Sequence, residues 1–182
     1  MVKKNLNALL LIALSAIVSN VIALLFQFLY HEIPCPLCLL QRFGLLAIAY
    51  GAIIGLRSHG TFRHLVIILI SSLFTLAVGL RQVFLHILPN DKGYGTLFFG
   101  LHFYTWSAIL SFSLIIILAI APLLDRINLT KYIAAKFITK IQNFIYDVFI
   151  LLCITNVIMT FLGCGITGCP DDPVNYQYLP SH

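Results

Sequence analysis

Long apolar stretches dominate the chain and are separated by short polar segments. Five of these stretches are long enough to cross the hydrocarbon core of a bilayer, which takes about 20 apolar residues in a helix. They cover residues 6–29, 36–56, 65–88, 103–124 and 143–163. The pattern therefore predicts an all-α, polytopic membrane helix bundle that forms a single integral membrane domain over residues 1–182.

The composition supports this prediction and excludes other classes of protein. Of the 182 residues, 60% are hydrophobic and 9% are charged, which is more apolar surface than a soluble core of this size can hide. The net charge of +5 does not indicate a nucleic-acid partner, because the chain offers no soluble basic face. The first apolar stretch exceeds the roughly 7 to 15 residues of a signal-peptide core, so we expect it to be retained as a helix.

The distribution of cations predicts the orientation in the membrane. Lysine and arginine cluster at the amino terminus and in the second and fourth connections, at Lys3, Lys4, Arg57, Arg63, Arg126, Lys131, Lys136 and Lys140. By the positive-inside rule the amino terminus is cytoplasmic, and residues 30–35, 89–102 and the tail 164–182 lie on the outer face. The amphipathic segment 126–140 is expected to lie along the cytoplasmic headgroups or to extend the fifth helix.

Four of the five cysteines fall at the predicted outer face. Cys35 and Cys38 open the second helix, and Cys164 and Cys169 directly follow the fifth. Both pairs are therefore expected at the same level of the membrane. Cys153 lies within the fifth helix, where a cysteine is most simply a small buried hydrophobic residue.

The first pair has the surroundings of a reactive dithiol. Pro36 suits the first position of a helix, so Cys35 is the predicted cap and Cys38 lies in the first turn, where free N–H groups and the helix dipole stabilise a thiolate. Arg42 shares a helix face with both cysteines. We expect it to stabilise a Cys38 thiolate and the anionic form of a reducible ligand, although snorkelling to the headgroups is the simpler alternative there and at Arg81.

These residues carry a resemblance to a known family. The sequence resembles the DsbB family of bacterial inner-membrane proteins, which make disulfides for export. The likeness consists of the CxxC that opens helix two, the following "LLQR", the "GLRQVFLH" near the end of helix three, and "YGTLFFGLHFYTW" at 94–106. It extends over most of residues 6–124.

The resemblance implies a four-helix core, here joined by a fifth transmembrane helix, that holds ubiquinone or menaquinone near the CxxC. Cys35 and Cys38 match the quinone-coupled pair and Arg42 matches the quinone-side arginine. In the best-known members a second pair, in the loop between helices three and four, takes electrons from a soluble DsbA-type oxidase. That loop, 89–102, has no cysteine here, so Cys164 and Cys169 are the candidates.

The predicted protein is thus a quinone-dependent protein-disulfide oxidoreductase of the bacterial inner membrane. A reduced periplasmic partner attacks the Cys164–Cys169 disulfide, with Cys169 expected to meet it first, and the resulting dithiol reduces Cys35–Cys38. Three histidines lie near the outer face and are candidates for relaying protons, although an interfacial or packing role is simpler and they stand outside the predicted site. They are His31, His86 and His102.

Three alternatives remain open. Proteins similar to vitamin K epoxide reductase also couple a CxxC to a quinone, but their CxxC lies late in the chain. Four thiolates at these spacings are compatible with zinc or copper ligation, although only two methionines are present to support a Cu(I) site. A membrane scaffold with purely structural disulfides is the third alternative.

Overall fold

The computed structural model describes residues 6–30, 32–57, 63–88, 91, 93–124, 135–165 and 169. These residues form five long helices, α1 Leu6–Leu29, α2 Pro36–Arg57, α3 Arg63–Leu85, α4 Phe103–Leu124 and α5 Ala135–Cys164, and a short hairpin of β1 Leu97–Phe98 and β2 Leu101–His102. Each helix contains a stretch long and apolar enough to cross a membrane. The predicted all-α, polytopic membrane bundle is confirmed.

Two helices have an end that differs from the one predicted by the apolar pattern. Helix α3 ends at Leu85 rather than at 88, and α5 begins at Ala135 rather than at 143. The early start of α5 takes in residues 135–140 of the amphipathic segment, so this part extends the fifth helix. The preceding residues, 126–134, lie outside the described part of the chain.

Helix α2 is central, because it packs against α1, α3 and α5. Its glycines allow a close approach to α3. A Cβ at Gly51 would lie 2.9 Å from Ile68 Cγ1, and a Cβ at Gly55 would lie 2.7 Å from the His64 ring. A larger side chain at these positions would therefore force the two helices apart.

Helix α5 runs antiparallel to α2. Gln142 donates to the Leu56 carbonyl at 3.5 Å, and the Arg57 guanidinium lies 4.1 Å from the centre of the Tyr146 ring. One helical turn further along α5, the ring of Phe149 stacks on that of Tyr50 at 6.2 Å. From Gln142 and Tyr146 to Phe149 the contacts on α2 move back from Leu56 and Arg57 to Tyr50, which is the antiparallel direction.

Both cysteine pairs consequently lie at the same end of the bundle. At 1.5 Å per residue, Cys164 lies about 33 Å along α5 from Gln142, and Pro36 lies about 32 Å along α2 from Arg57. We call this the cysteine end, where α1, α3 and α5 end and α2 and α4 begin.

A hairpin covers part of the cysteine end. Strands β1 and β2 pair antiparallel, and the two turn residues, Phe99 and Gly100, have φ of 50° and 80°. This left-handed conformation at both positions matches the twist of a two-residue hairpin. The Phe98 ring packs 5.7 Å from Phe26 of α1 and 5.6 Å from Phe103 of α4, which fixes the hairpin over the space between these helices.

Candidate redox site

The first disulfide joins Cys35 to Cys38 at the start of α2. Because α2 begins at Pro36, Cys35 occupies the predicted cap position, and its Sγ accepts the backbone N–H of Cys38 at 3.1 Å. Free N–H groups and the positive end of the helix dipole favour negative charge on sulfur here. The local geometry is therefore suited to a thiolate once the bond opens.

A chain of amide hydrogen bonds leads to this disulfide from the neighbouring helices. Gln82 Nε2 on α3 lies 3.3 Å from Cys35 Sγ and 3.5 Å from Cys38 Sγ. Gln82 Oε1 accepts from Gln41 Nε2 at 2.6 Å, and Gln41 Oε1 accepts from Ser107 Oγ at 2.6 Å. We call this set the amide chain. All three of its side chains are buried, and Gln82 is only 1% exposed.

Arg42 lies inside the bundle rather than at its surface. It is 8% exposed, and its guanidinium donates to Gln27 Oε1 at 2.6 Å and to the Ala23 carbonyl at 3.1 Å, both on α1. These contacts hold a cation beside Cys38 and do not fit the snorkelling alternative. Arg81, by contrast, is exposed.

A cavity of about 250 Å³ lies between α1, α2 and α4, with Phe98 of the hairpin in its wall. Its wall includes Cys38, Gln41, Arg42, Gln27 and Glu32. Six aromatic side chains complete much of the lining: Phe26, Tyr94, Phe98, Phe103, Tyr104 and Trp106. Apolar walls with a few placed polar groups are typical of small-molecule sites, so the cavity can take a flat, apolar ring with polar substituents.

The second disulfide joins Cys164 to Cys169 just beyond α5. Gly165, with φ of 64°, ends the helix in the left-handed conformation, and its N–H bonds the Phe161 carbonyl at 2.9 Å. Cys164 is buried and Cys169 is half-buried. This pair shares the cysteine end with the first disulfide, but it is not part of the cavity wall.

Two of the three predicted outer histidines lie next to the cavity, and His31 is outside the described residues. The rings of His86 and His102 stack on Tyr104 with centroids 5.8 Å and 5.1 Å away. His86 Nδ1 also lies 3.1 Å from Asp91 Oδ2. The pKa of Asp91 is held below its ordinary value, first by the backbone N–H of Gly93, which donates to Asp91 Oδ1, and second by His86.

Cys153 is a free, half-buried thiol that packs against the apolar core. The four cysteines of the metal alternative are bonded as two disulfides. Within the described residues, no group of three or more histidine, cysteine or acidic side chains is arranged to hold a metal ion.

The uncharged polar residues of the site were not predicted from the sequence. Gln27, Gln41, Gln82 and Ser107 were not singled out, although Gln41 and Gln82 lie within the two quoted motifs "LLQR" and "GLRQVFLH". Their signal was available, because polar side chains within membrane helices usually face the bundle interior and mark functional pathways.

The fold and the site together define a class, multi-pass membrane proteins with a disulfide set against a small-molecule cavity and a second disulfide at the same end. A comparison with family models matches residues 5–97 to the family described as "Disulfide bond formation protein DsbB". The match covers a little over half of the 182 residues, and the chain belongs to the DsbB family. It includes Cys35, Cys38 and Arg42 but not the second pair. Comparison with curated proteins and with solved structures gave no match.

Proposed function

We propose that the protein is a quinone-dependent protein-disulfide oxidoreductase of the bacterial inner membrane, which reoxidises a periplasmic thioredoxin-like oxidase of the DsbA type. The observation that carries the proposal is the position of Cys38. Its sulfur belongs to a disulfide at a helix N-terminus and also lies in the wall of an apolar cavity that contains a buried arginine.

The residues around the cavity fit a membrane quinone, either ubiquinone or menaquinone. Aromatic side chains suit a flat ring, and Arg42 with Gln27 would hold a ring oxygen, because both carry N–H donors in a mostly apolar wall. When bound, the quinone supplies an acceptor for the two electrons of the reduced cysteine pair. Such an acceptor is required, because a DsbA-type oxidase at about −120 mV is too oxidising to be recharged by ordinary thiols.

The cysteines themselves act by thiol–disulfide exchange. The thiolate of the reduced partner attacks the Cys164–Cys169 disulfide, with the more exposed Cys169 as the expected first contact. A second thiolate of the partner then releases Cys164 and Cys169 as a dithiol. This dithiol opens the Cys35–Cys38 disulfide, and the α2 N-terminus stabilises the thiolate that is left.

The orientation is part of the proposal. The exposed Arg57 and the start of α5 with Lys140 lie at the end of the bundle opposite the cysteine end. By the positive-inside rule that opposite end faces the cytoplasm, so the cysteine end faces the periplasm, where disulfides persist. The amino terminus is then cytoplasmic and the carboxyl terminus periplasmic.

The test is an assay of the purified protein in detergent with added quinone and a reduced thioredoxin-like partner. Cys35→Ser and Cys38→Ser should abolish quinone reduction, whereas Cys153→Ser is the matched control and should retain it. Cys164→Ala and Cys169→Ala should block oxidation of the partner but spare oxidation of a small dithiol. Intact quinone reduction in Cys38→Ser would overturn the proposal.

A further inference from the structure

The contact between Gln82 and the first disulfide gives this glutamine a chemical role. We infer that the Gln82 side-chain N–H stabilises the thiolate form of the Cys35–Cys38 pair and thereby makes this pair more oxidising. The inference rests on the proposed function, because it assigns a residue of α3 to the same redox couple.

The orientation of the Gln82 amide follows from its neighbours. Gln41 Nε2 donates to Gln82 Oε1, so the carbonyl of Gln82 is engaged and its N–H group faces the sulfurs. Gln41 is held in turn, because its own Oε1 accepts from Ser107. Three helices therefore fix the direction of one N–H group.

This N–H group lies within hydrogen-bonding distance of both sulfurs. The distances of 3.3 Å to Cys35 Sγ and 3.5 Å to Cys38 Sγ are nearly equal. When an incoming thiolate attacks one of the two sulfurs, the Cys35–Cys38 bond breaks and a new S–S bond forms to the attacker. The other sulfur keeps the electron pair as a thiolate, and Gln82 can donate to it without a movement of the helices.

Burial strengthens the effect of the Gln82 hydrogen bond on the thiolate. Gln82 is 1% exposed and lies among apolar helices, where water does not replace a lost hydrogen bond. A hydrogen bond to a charged group favours that charged form by about tenfold or more. For a two-electron couple a tenfold change in the equilibrium constant corresponds to about 30 mV.

The direction of the effect follows from the thiolate. A donor that stabilises the thiolate favours the reduced pair over the disulfide, so it raises the reduction potential and lowers the thiol pKa. The charged residues in the cavity wall are Arg42 and Glu32, and the substitutions below leave both unchanged.

The experiment measures the couple itself, without quinone and without a protein partner. The full chain with Cys153→Ala, Cys164→Ala and Cys169→Ala is equilibrated with defined mixtures of reduced and oxidised dithiothreitol. Acid quenching and alkylation with a heavy maleimide then give the oxidised fraction of Cys35–Cys38. The pH dependence of the alkylation rate gives the thiol pKa.

Gln82→Met keeps the length of the side chain and removes the donor. We expect the pair to become about tenfold easier to oxidise, a fall of about 30 mV in its potential, with a thiol pKa higher by about one unit. Gln142→Met, the same substitution at the far end of the bundle, is the matched control and should change neither value. A purely structural role for Gln82 would lower the thermal stability and leave the potential and the pKa unchanged.

Ser107→Ala tests the same inference from the other end of the amide chain. Without the Ser107 donor, Gln41 holds the Gln82 amide less firmly, so a smaller shift in the same direction is expected; this variant carries the test if Gln82→Met does not fold. An unchanged potential in the variants that fold, or an equal shift in Gln142→Met, would overturn the inference. Failure of the unsubstituted chain to reduce quinone would instead remove the proposed function and leave the Gln82 effect measurable.

Discussion

Gly44 provides a test of the close contact between α2 and α3, the helix that carries Gln82 to the first disulfide. A Cβ at this position would overlap the hydroxyl of Thr75, which is fully buried and bonded to the Ser71 carbonyl at 2.8 Å. Gly44→Ala gains about 1 kcal/mol of helix propensity, but forcing an extra carbon into a packed core costs about 1 to 3 kcal/mol. We therefore expect a net loss of roughly 0 to 2 kcal/mol of stability, because overpacking outweighs propensity.

The partner substitution separates overlap from any general effect of alanine. Thr75→Ala removes the obstructing hydroxyl, although the Thr75 Cβ would still lie 3.2 Å from the new methyl group. The cost of Gly44→Ala should then fall by about 1 kcal/mol in the Thr75→Ala background, as expected for residues in contact. Unfolding in mixed micelles with increasing dodecyl sulfate measures all four proteins of the cycle. Equal costs of Gly44→Ala in both backgrounds would refute the argument from overlap.

Three further predictions follow from the site and its supports. Arg42→Met should raise the quinone concentration needed for half-maximal rate at least about tenfold, since a charged hydrogen-bond donor is lost; an unchanged KM for quinone would contradict this. Tyr146→Leu should lower stability by about 0.5 to 1 kcal/mol through loss of the Arg57 contact, whereas Tyr146→Phe keeps the ring, and unfolding of the two variants compares them. The lowered pKa of Asp91 contributes stability at pH values above its ordinary pKa of 3.8, and this stability is lost as the pH falls through the lower pKa of the folded protein. Asp91→Asn should remove this dependence on acidic pH from thermal unfolding curves. A variant whose stability depends on pH in the same way as that of the unsubstituted protein would count against this prediction.

The transmembrane helices were predictable because a long apolar run is a local property of the chain. The start of α2 was also visible, since Pro36 after a capping cysteine is a local signal. The start of α5 at Ala135 was left open, because the apolar run begins at 143 and the amphipathic segment before it fitted either an extension of the helix or a separate surface segment. Outside the bilayer a helix needs no continuous apolar run, so Lys136 and Lys140 ended the pattern without ending the helix.

The candidate site was likewise predictable only in part. The cysteines and Arg42 were predicted from the sequence, because their residue types and their spacing along one helix already indicate redox chemistry. The amide chain was not found, because Gln41 lies 41 residues from Gln82 and 66 from Ser107 along the sequence. Only the packing of three helices brings these side chains together, and no local sequence pattern predicts such a tertiary contact.

The fifth helix has a consequence for how the two disulfides can work together. The first pair follows one crossing of the membrane and the second follows five, and an odd number of crossings returns the chain to the same side. Since 89–102 carries no cysteine, α5 is the element that brings the second pair to the cysteine end. The burial of Ile145, Phe149 and Leu152 in the core fixes the height of α5, and so the level at which Cys164 emerges. One residue inserted between Leu152 and Cys164 would raise this sulfur by about 1.5 Å and rotate it by about 100°, so the exchange proposed between the pairs depends on the packing of α5 between Ile145 and Leu152.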